Sequence, residues 1–290
     1  ATTGCKNIAI GDTAMGAAVT TGNDNIAMGD NAMDALTSGK CNIAIGQTSL
    51  STSTTGCLNI AIGKVALGFT DTTGIDNIAI GTHTMDALTT GACNIAMGIN
   101  ALGAATTGNL NIAIGNTAMG LGVVTGYDNI AIGGSAMTNL TSGICNTAVG
   151  MNAAANLTTG CFNVAIGYLA AAAATSTGNH NTSVGACAAQ VMTSGSENTV
   201  IGHNAGFLLT SGGSNIMVGR YSGCNPDIVI TTQSGYGTYG NWNSVCMIVG
   251  VDWTTLSDCR DKTDVTDFDL GLGYIKALRP VYYRWDKRGW

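Results

Sequence analysis

Proline, glutamate and charge are all scarce in this chain. Of its 290 residues two are Pro, one (Glu197) is Glu, and Lys, Arg, Asp and Glu together make up 10%. An ordinary globule carries charge at about a quarter of its positions. This surface must therefore be wetted by Asn, Thr, Ser and exposed backbone, as regular β structure allows. Lys and Arg total 11 against 17 acidic residues, the net charge is -6, and no basic stripe is visible. That argues against a nucleic-acid partner, because such binding depends on neutralising phosphates. Long apolar runs are missing too. Gly interrupts them well short of the roughly 20 residues that span a bilayer, so no membrane insertion is expected. The ten cysteines include no Cys-x-x-Cys pair, which argues against a zinc knuckle or a thioredoxin-type centre. With one Glu, and with Asp in the repeats mostly at turns, the chain offers little from which to build the paired carboxylates, about 5 to 10 Å apart, of a polysaccharide-cleaving spike.

What is abundant is Gly, with 42 copies, and it is periodic. An anchor Asn recurs at 7, 25, 42, 59, 77, 94, 111, 129, 146, 163, 181, 198 and 215, with spacings of 18, 17 and 17 that then repeat. Every anchor has a Gly three residues before it and another four residues after it. Glycine is demanded where a chain turns through positive φ or lies against the backbone of the next coil. Between the glycines runs Ile-Ala-Ile or Ile-Ala-Met, the period-two pattern of a strand with two different faces. The usual pattern rule places the larger residues, such as Ile8 and Ile10, inside and Ala9 outside. A second short strand is expected at Thr13-Ala14-Met15, followed by a Thr-Thr-Gly or Thr-Ser-Gly turn. Each 17- or 18-residue unit then forms one rung of a flattened roll, rungs stack at about 4.8 Å, and thirteen give a rod on the order of 60 Å long. The anchor amides are expected to bond from rung to rung as a ladder.

Two longer patterns overlie the repeat. Every third coil carries one extra residue before its turn, a 52-residue block. The residue just before the following anchor is then Asp24, Asp76, Asp128 or His180. The residue eight after the anchor falls from Met15, Met33 and Leu50 through Ala154, Ala171 and Ala189 to Gly206 and Gly223, so the roll should narrow or repack toward its C-terminal end.

Other residues admit plain readings beside sharper ones. Cys41 with Cys57, and Cys145 with Cys161, fall on neighbouring rungs within disulfide reach, or serve as small turn residues. The Asp24, Asp76, Asp128 and His180 series is a set of solvated turn residues, or else each Asp, repeated in three identical chains, places three carboxylates around a trimer axis where they could hold a cation. Neither these nor His83, His180 and His203 make a metal site within one chain, and no cofactor is called for. Residues 224–256 break the repeat and gather Tyr236, Tyr239, Trp242 and Trp253 among Gly and Asn. Such rings form either a glycan-binding tip or the apolar plug that ends a solenoid.

The coils, including Asn-Thr-Ala-Val-Gly at 146–150, resemble the head repeats of trimeric autotransporter adhesins and the related shafts of phage tail fibres. The resemblance covers about three quarters of the chain and implies a parallel β-roll assembled from three identical chains. Ser257-Asp258-Cys259-Arg260-Asp261-Lys262, with Gly271-Leu272-Gly273-Tyr274-Ile275 and Leu278-Arg279-Pro280-Val281-Tyr282-Tyr283-Arg284-Trp285, is similar to the start of the intramolecular chaperone domain of phage tail spikes and fibres. That second resemblance favours the phage fibre over a bacterial adhesin. It implies a virion location, contact with other tail proteins and with a host surface glycan, and self-cleavage between Leu256 and Ser257. Ser257 would be the nucleophile and Lys262 its base. Asp261 departs from the family's apolar residue, and a neighbouring carboxylate would hold Lys262 charged and make it a weaker base. The expected organisation is an all-β roll over 1–223, a transition region over 224–256 and a partial chaperone-type α/β segment over 257–290.

Overall fold

The structure is a computed structural model. The chain divides into two compact units, residues 1–244 and 245–290, and the structure describes residues 3–16, 19–173, 175–225 and 228–241, all in the first. This unit is a parallel β-solenoid. Thirteen three-residue strands, β1 (Ile8–Ile10) through β13 (Ile216–Val218), follow one another in a single sheet, each paired in parallel with the next. Like falls on like: Ile26 pairs with Ile43 and Ala27 with Ala44. After β13 come a short antiparallel pair, β14 (Cys224–Asn225) and β15 (Ile228–Val229), and then β16 (Gly237–Tyr239), which returns to the main sheet beside β13. The expected chaperone-type segment lies outside the described residues.

The anchor ladder forms as the repeat implies. Asn42 donates its backbone N–H (2.9 Å) and its Nδ2 (3.1 Å) to Oδ1 of Asn25, and its Nδ2 also reaches the Gly56 carbonyl at 2.8 Å. Its own Oδ1 receives the Asn59 N–H at 2.9 Å. All anchors from Asn25 to Asn215 are buried. A buried amide is tolerable only when its donors and acceptors are engaged, and here each amide is occupied by the rungs above and below it.

The two glycine columns use both properties that Gly offers. Gly46 has φ 132°, outside the range of L side chains, and a Cβ there would lie 2.6 Å from the Gly63 carbonyl oxygen. Gly91 is not among the positive-φ glycines, but a Cβ on it would stand 2.5 Å from the Gly108 oxygen.

Two expectations are corrected. The first concerns the strand faces. Ala27, Ala44, Ala61 and their equivalents through Ala165 are buried, while Met28, Ile45 and Ile132 remain over a third exposed; in the first strand Ala9 is exposed together with Ile8 and Ile10, which are about half exposed. The strand turns its methyl inward and its large residues outward because the opposite wall has already filled the space. Met33, Leu50, Leu67 and Met85, eight residues past their anchors, are completely buried and reach across the roll. The C-terminal coils show the exchange directly. As that opposite residue shrinks to Gly206 and Gly223, the inward strand residue grows to Val200 and Met217, both fully buried. A Cβ on Gly223 would lie 2.7 Å from the Met217 sulfur. The taper is therefore a repacking across a fixed width. Met217→Ala should cost about 2–5 kcal/mol by the usual cavity penalty, and adding Gly223→Met, which restores the Ala79 and Met85 pairing of an earlier coil, should recover most of it in urea unfolding.

The second correction concerns the second strand. Thr13-Ala14-Met15 is a turn, with φ 52° at Thr13 and 56° at Met15. The same slots are left-handed in every coil, as is the residue before each anchor: Asp24, Asn31 and Met33 have φ 59°, 55° and 51°. These conformations are disfavoured for L residues, and bonds between rungs hold them. The Asn31 N–H donates back to the Asp12 carbonyl at 2.9 Å, while the Met33 N–H donates forward to that of Ser49 at 3.0 Å.

Candidate interaction face

With alanine inside, the outer face of the sheet carries two columns of large apolar side chains. One runs Ile8, Ile26, Ile43, Ile60, Ile78, Ile95, Ile112, Ile130 and on to Ile216, broken by Thr147, Thr182 and Thr199. The other runs from Ile10 and Met28 to Ile201 and Val218 without a polar residue. Neither column holds a charge. At about 4.8 Å per rung the stripe is on the order of 60 Å long. Soluble monomers rarely leave so long an apolar strip in contact with water.

The strip has a polar margin. The residues before the anchors form an outward, left-handed column that repeats in threes: Asp24, Cys41, Leu58; Asp76, Cys93, Leu110; Asp128, Cys145, Phe162; then His180, Glu197 and Ser214. Phe162 and His180, on successive rungs, stack at 5.0 Å between ring centroids. An apolar centre with a mixed rim is the anatomy of a protein–protein interface.

The eight cysteines among the described residues are free thiols. The pairing of neighbouring rungs is not made, because Cys57 stacks in the column of Lys40 and Cys41 in that of Leu58. The Cys57 Sγ receives the Lys40 N–H at 3.4 Å and points its own proton at the Thr55 carbonyl, also 3.4 Å away. Burial pushes the Cys224 thiol pKa up. His83 Nδ1 lies 3.0 Å from an Asp86 carboxylate oxygen, and burial raises the Asp86 pKa, with the His83 contact opposing part of the rise. Among the described residues no group of three His, Cys, Asp or Glu is placed to hold a metal ion.

Of the aromatic cluster, Tyr236 and Tyr239 are placed, while Trp242 and Trp253 lie outside the described residues, as do Ser257 and Lys262. Tyr236 takes the slot of a fourteenth anchor, 21 residues after Asn215, and its N–H caps the last ladder oxygen at 2.9 Å. Having no amide, it ends the ladder. Tyr239 lies in register with Val218 and extends the outer apolar column. The two rings do not share one pocket: Tyr239, with Tyr221, Thr238 and Asn241, lines a concavity of about 200 Å³ to which Tyr236 does not contribute. Both rings are about half exposed. This coil is visible in the sequence once sought, since Gly240 stands four residues after Tyr236 just as Gly219 stands after Asn215.

Comparison with family models, curated proteins and solved structures returned no match. No helix among the described residues is long and apolar enough to cross a membrane.

Proposed function

We propose that this chain is the shaft of a homotrimeric bacteriophage tail fibre or similar virion appendage, a structural rod that carries a host-attachment surface. The observation that carries the reading is the uncharged apolar strip along the roll. It runs nearly the full length of the coils, so an extended partner of the same pitch covers it best, and two further copies of the chain have that pitch. The resemblance of the segment from Ser257 to a trimerising chaperone supports three copies. Rings at Tyr221 and Tyr239 beside Thr238 and Asn241 offer flat apolar faces and hydrogen-bonding groups of the kind that hold a sugar, so we assign contact with a host surface glycan to that end.

The test is intact-mass measurement of proteins from purified virions, with sedimentation of the recombinant chain. The expected results are this chain among the particle proteins and a recombinant species three times the mass of one chain. A virion species ending at Leu256 would establish cleavage by Ser257 and Lys262. Absence from particles, with the chain found on the bacterial surface, would replace this reading by a trimeric surface adhesin, which the coils and the same apolar strip also favour.

A further inference from the structure

The concavity at the C-terminal end of the roll lies beside an isolated positive charge. The whole chain is acidic, with a net charge of -6, yet the described residues after Glu197 include no Asp or Glu. What stands there is Arg220, the one arginine among the described residues, and it is exposed. The register that pairs Val218 with Tyr239 carries on through Gly219, where a Cβ would lie 2.8 Å from the Gly240 Cα. Arg220 and Asn241 therefore share one column, a single rung of about 4.8 Å apart, and Asn241 lines the concavity. The Arg220 guanidinium carbon also lies 5.2 Å from the ring centroid of Tyr221, another lining residue. His203 meets that ring edge-on at 5.8 Å between centroids. The Tyr221 ring thus holds the guanidinium next to the opening. Among the described residues no carboxylate is within ion-pair distance of Arg220.

We infer that this end of the roll recognises an acidic saccharide, one whose sugar carries a carboxylate. The inference rests on the glycan contact proposed above and adds to it the charge class of the sugar. Tyr239, about half exposed, presents a flat face on which a sugar ring can lie. Arg220 takes the carboxylate, because a guanidinium offers planar, paired N–H donors that match its two oxygens. A neutral sugar makes no use of that charge. With no acidic side chain nearby to compete, the attraction is not cancelled within the chain, and it weakens as salt is added.

The test is retention of the full chain on immobilised oligosaccharides of equal length: oligogalacturonate, its neutral methyl ester, oligosialate and neutral oligogalactose. Retention by one or both of the carboxylate-bearing oligomers, stronger than by either neutral one and weakened by salt, is expected. Arg220→Gln, at an exposed position, should lower affinity for the acidic oligomer by about three- to tenfold, and Arg220→Lys should recover only part of the loss. Tyr239→Ala should abolish retention. Neutral oligomers held as well as acidic ones, or an Arg220→Gln variant that binds the acidic oligomer unchanged, would overturn the acidic preference and leave the glycan contact standing. Retention by none of the oligomers would overturn both.

Discussion

Asn111→Ala is expected to destabilise the roll by on the order of 2–6 kcal/mol, because it strands two buried backbone groups at about 1–3 kcal/mol each. The Asn129 N–H now donates to Asn111 Oδ1 at 3.1 Å, and the Gly126 carbonyl receives Asn111 Nδ2 at 2.9 Å. The Asn129 amide keeps other acceptors, Tyr127 and Gly143, so the loss falls on the backbone. Asn7, only half buried at the first rung, should tolerate the same change at a fraction of the cost. Asn111→Asp tests the chemistry. Its carboxylate would accept from Asn129 but could not donate to Gly126, and burial would raise its folded pKa above the unfolded value near 3.9. A group protonated more readily when folded loses stability as pH rises through that window. Urea unfolding of Asn111→Asp should therefore approach wild type in acid and fall away toward neutrality, while Asn111→Ala should show no such recovery. Equal effects at Asn7 and Asn111 would show that the ladder is not the source of stability.

The second large effect is expected on the outer face. Ile112→Asp should leave each roll folded, since the side chain points outward, and abolish the assembly. The proposed trimer would lose three buried isoleucines worth about 1.5–3 kcal/mol apiece and gain three carboxylates to desolvate, each costing several kcal/mol. Sedimentation at micromolar concentration should then show a single chain with an unchanged far-ultraviolet β spectrum. Thr199→Asp, at a rung where the same column is already polar, should weaken assembly much less. A variant that remained trimeric, or a wild-type chain that sedimented alone, would remove the apolar strip as the basis of the proposed function.

Much of the fold was legible because the signals were one-dimensional. The Asn and Gly columns fix register by simple repetition, and the structure keeps that register at every rung. Which face lay inside was not legible from the strand alone. Period-two alternation reports that two faces differ, and the rule that puts large residues inside assumes that nothing else fills the core. Here Met33 and its equivalents fill it from the opposite wall. The counter-signal was in the chain, in the growth from Ala165 through Ser183 and Val200 to Met217 as the facing residue shrank. Thr13-Ala14-Met15 read as a strand because β-branched and alternating residues suit one. Left-handed Thr and Val contradict local preference and are imposed by bonds between rungs, which no local pattern displays. Of the expected site residues, Tyr239 joins a concavity with Tyr221, whose place inside the last regular coil gives no local sign of a site.

The ladder also has a direction. Each anchor offers its oxygen to the coil that follows and its N–H to the coil before, so any coil presents the same socket ahead and the same plug behind. Removing one 52-residue block, for example 26–77, would rejoin identical ends in identical register and shorten the rod by about 14 Å, three rungs at 4.8 Å. Length in such a molecule is set by counting rather than by design, and recombination between blocks can change it without altering a single contact type.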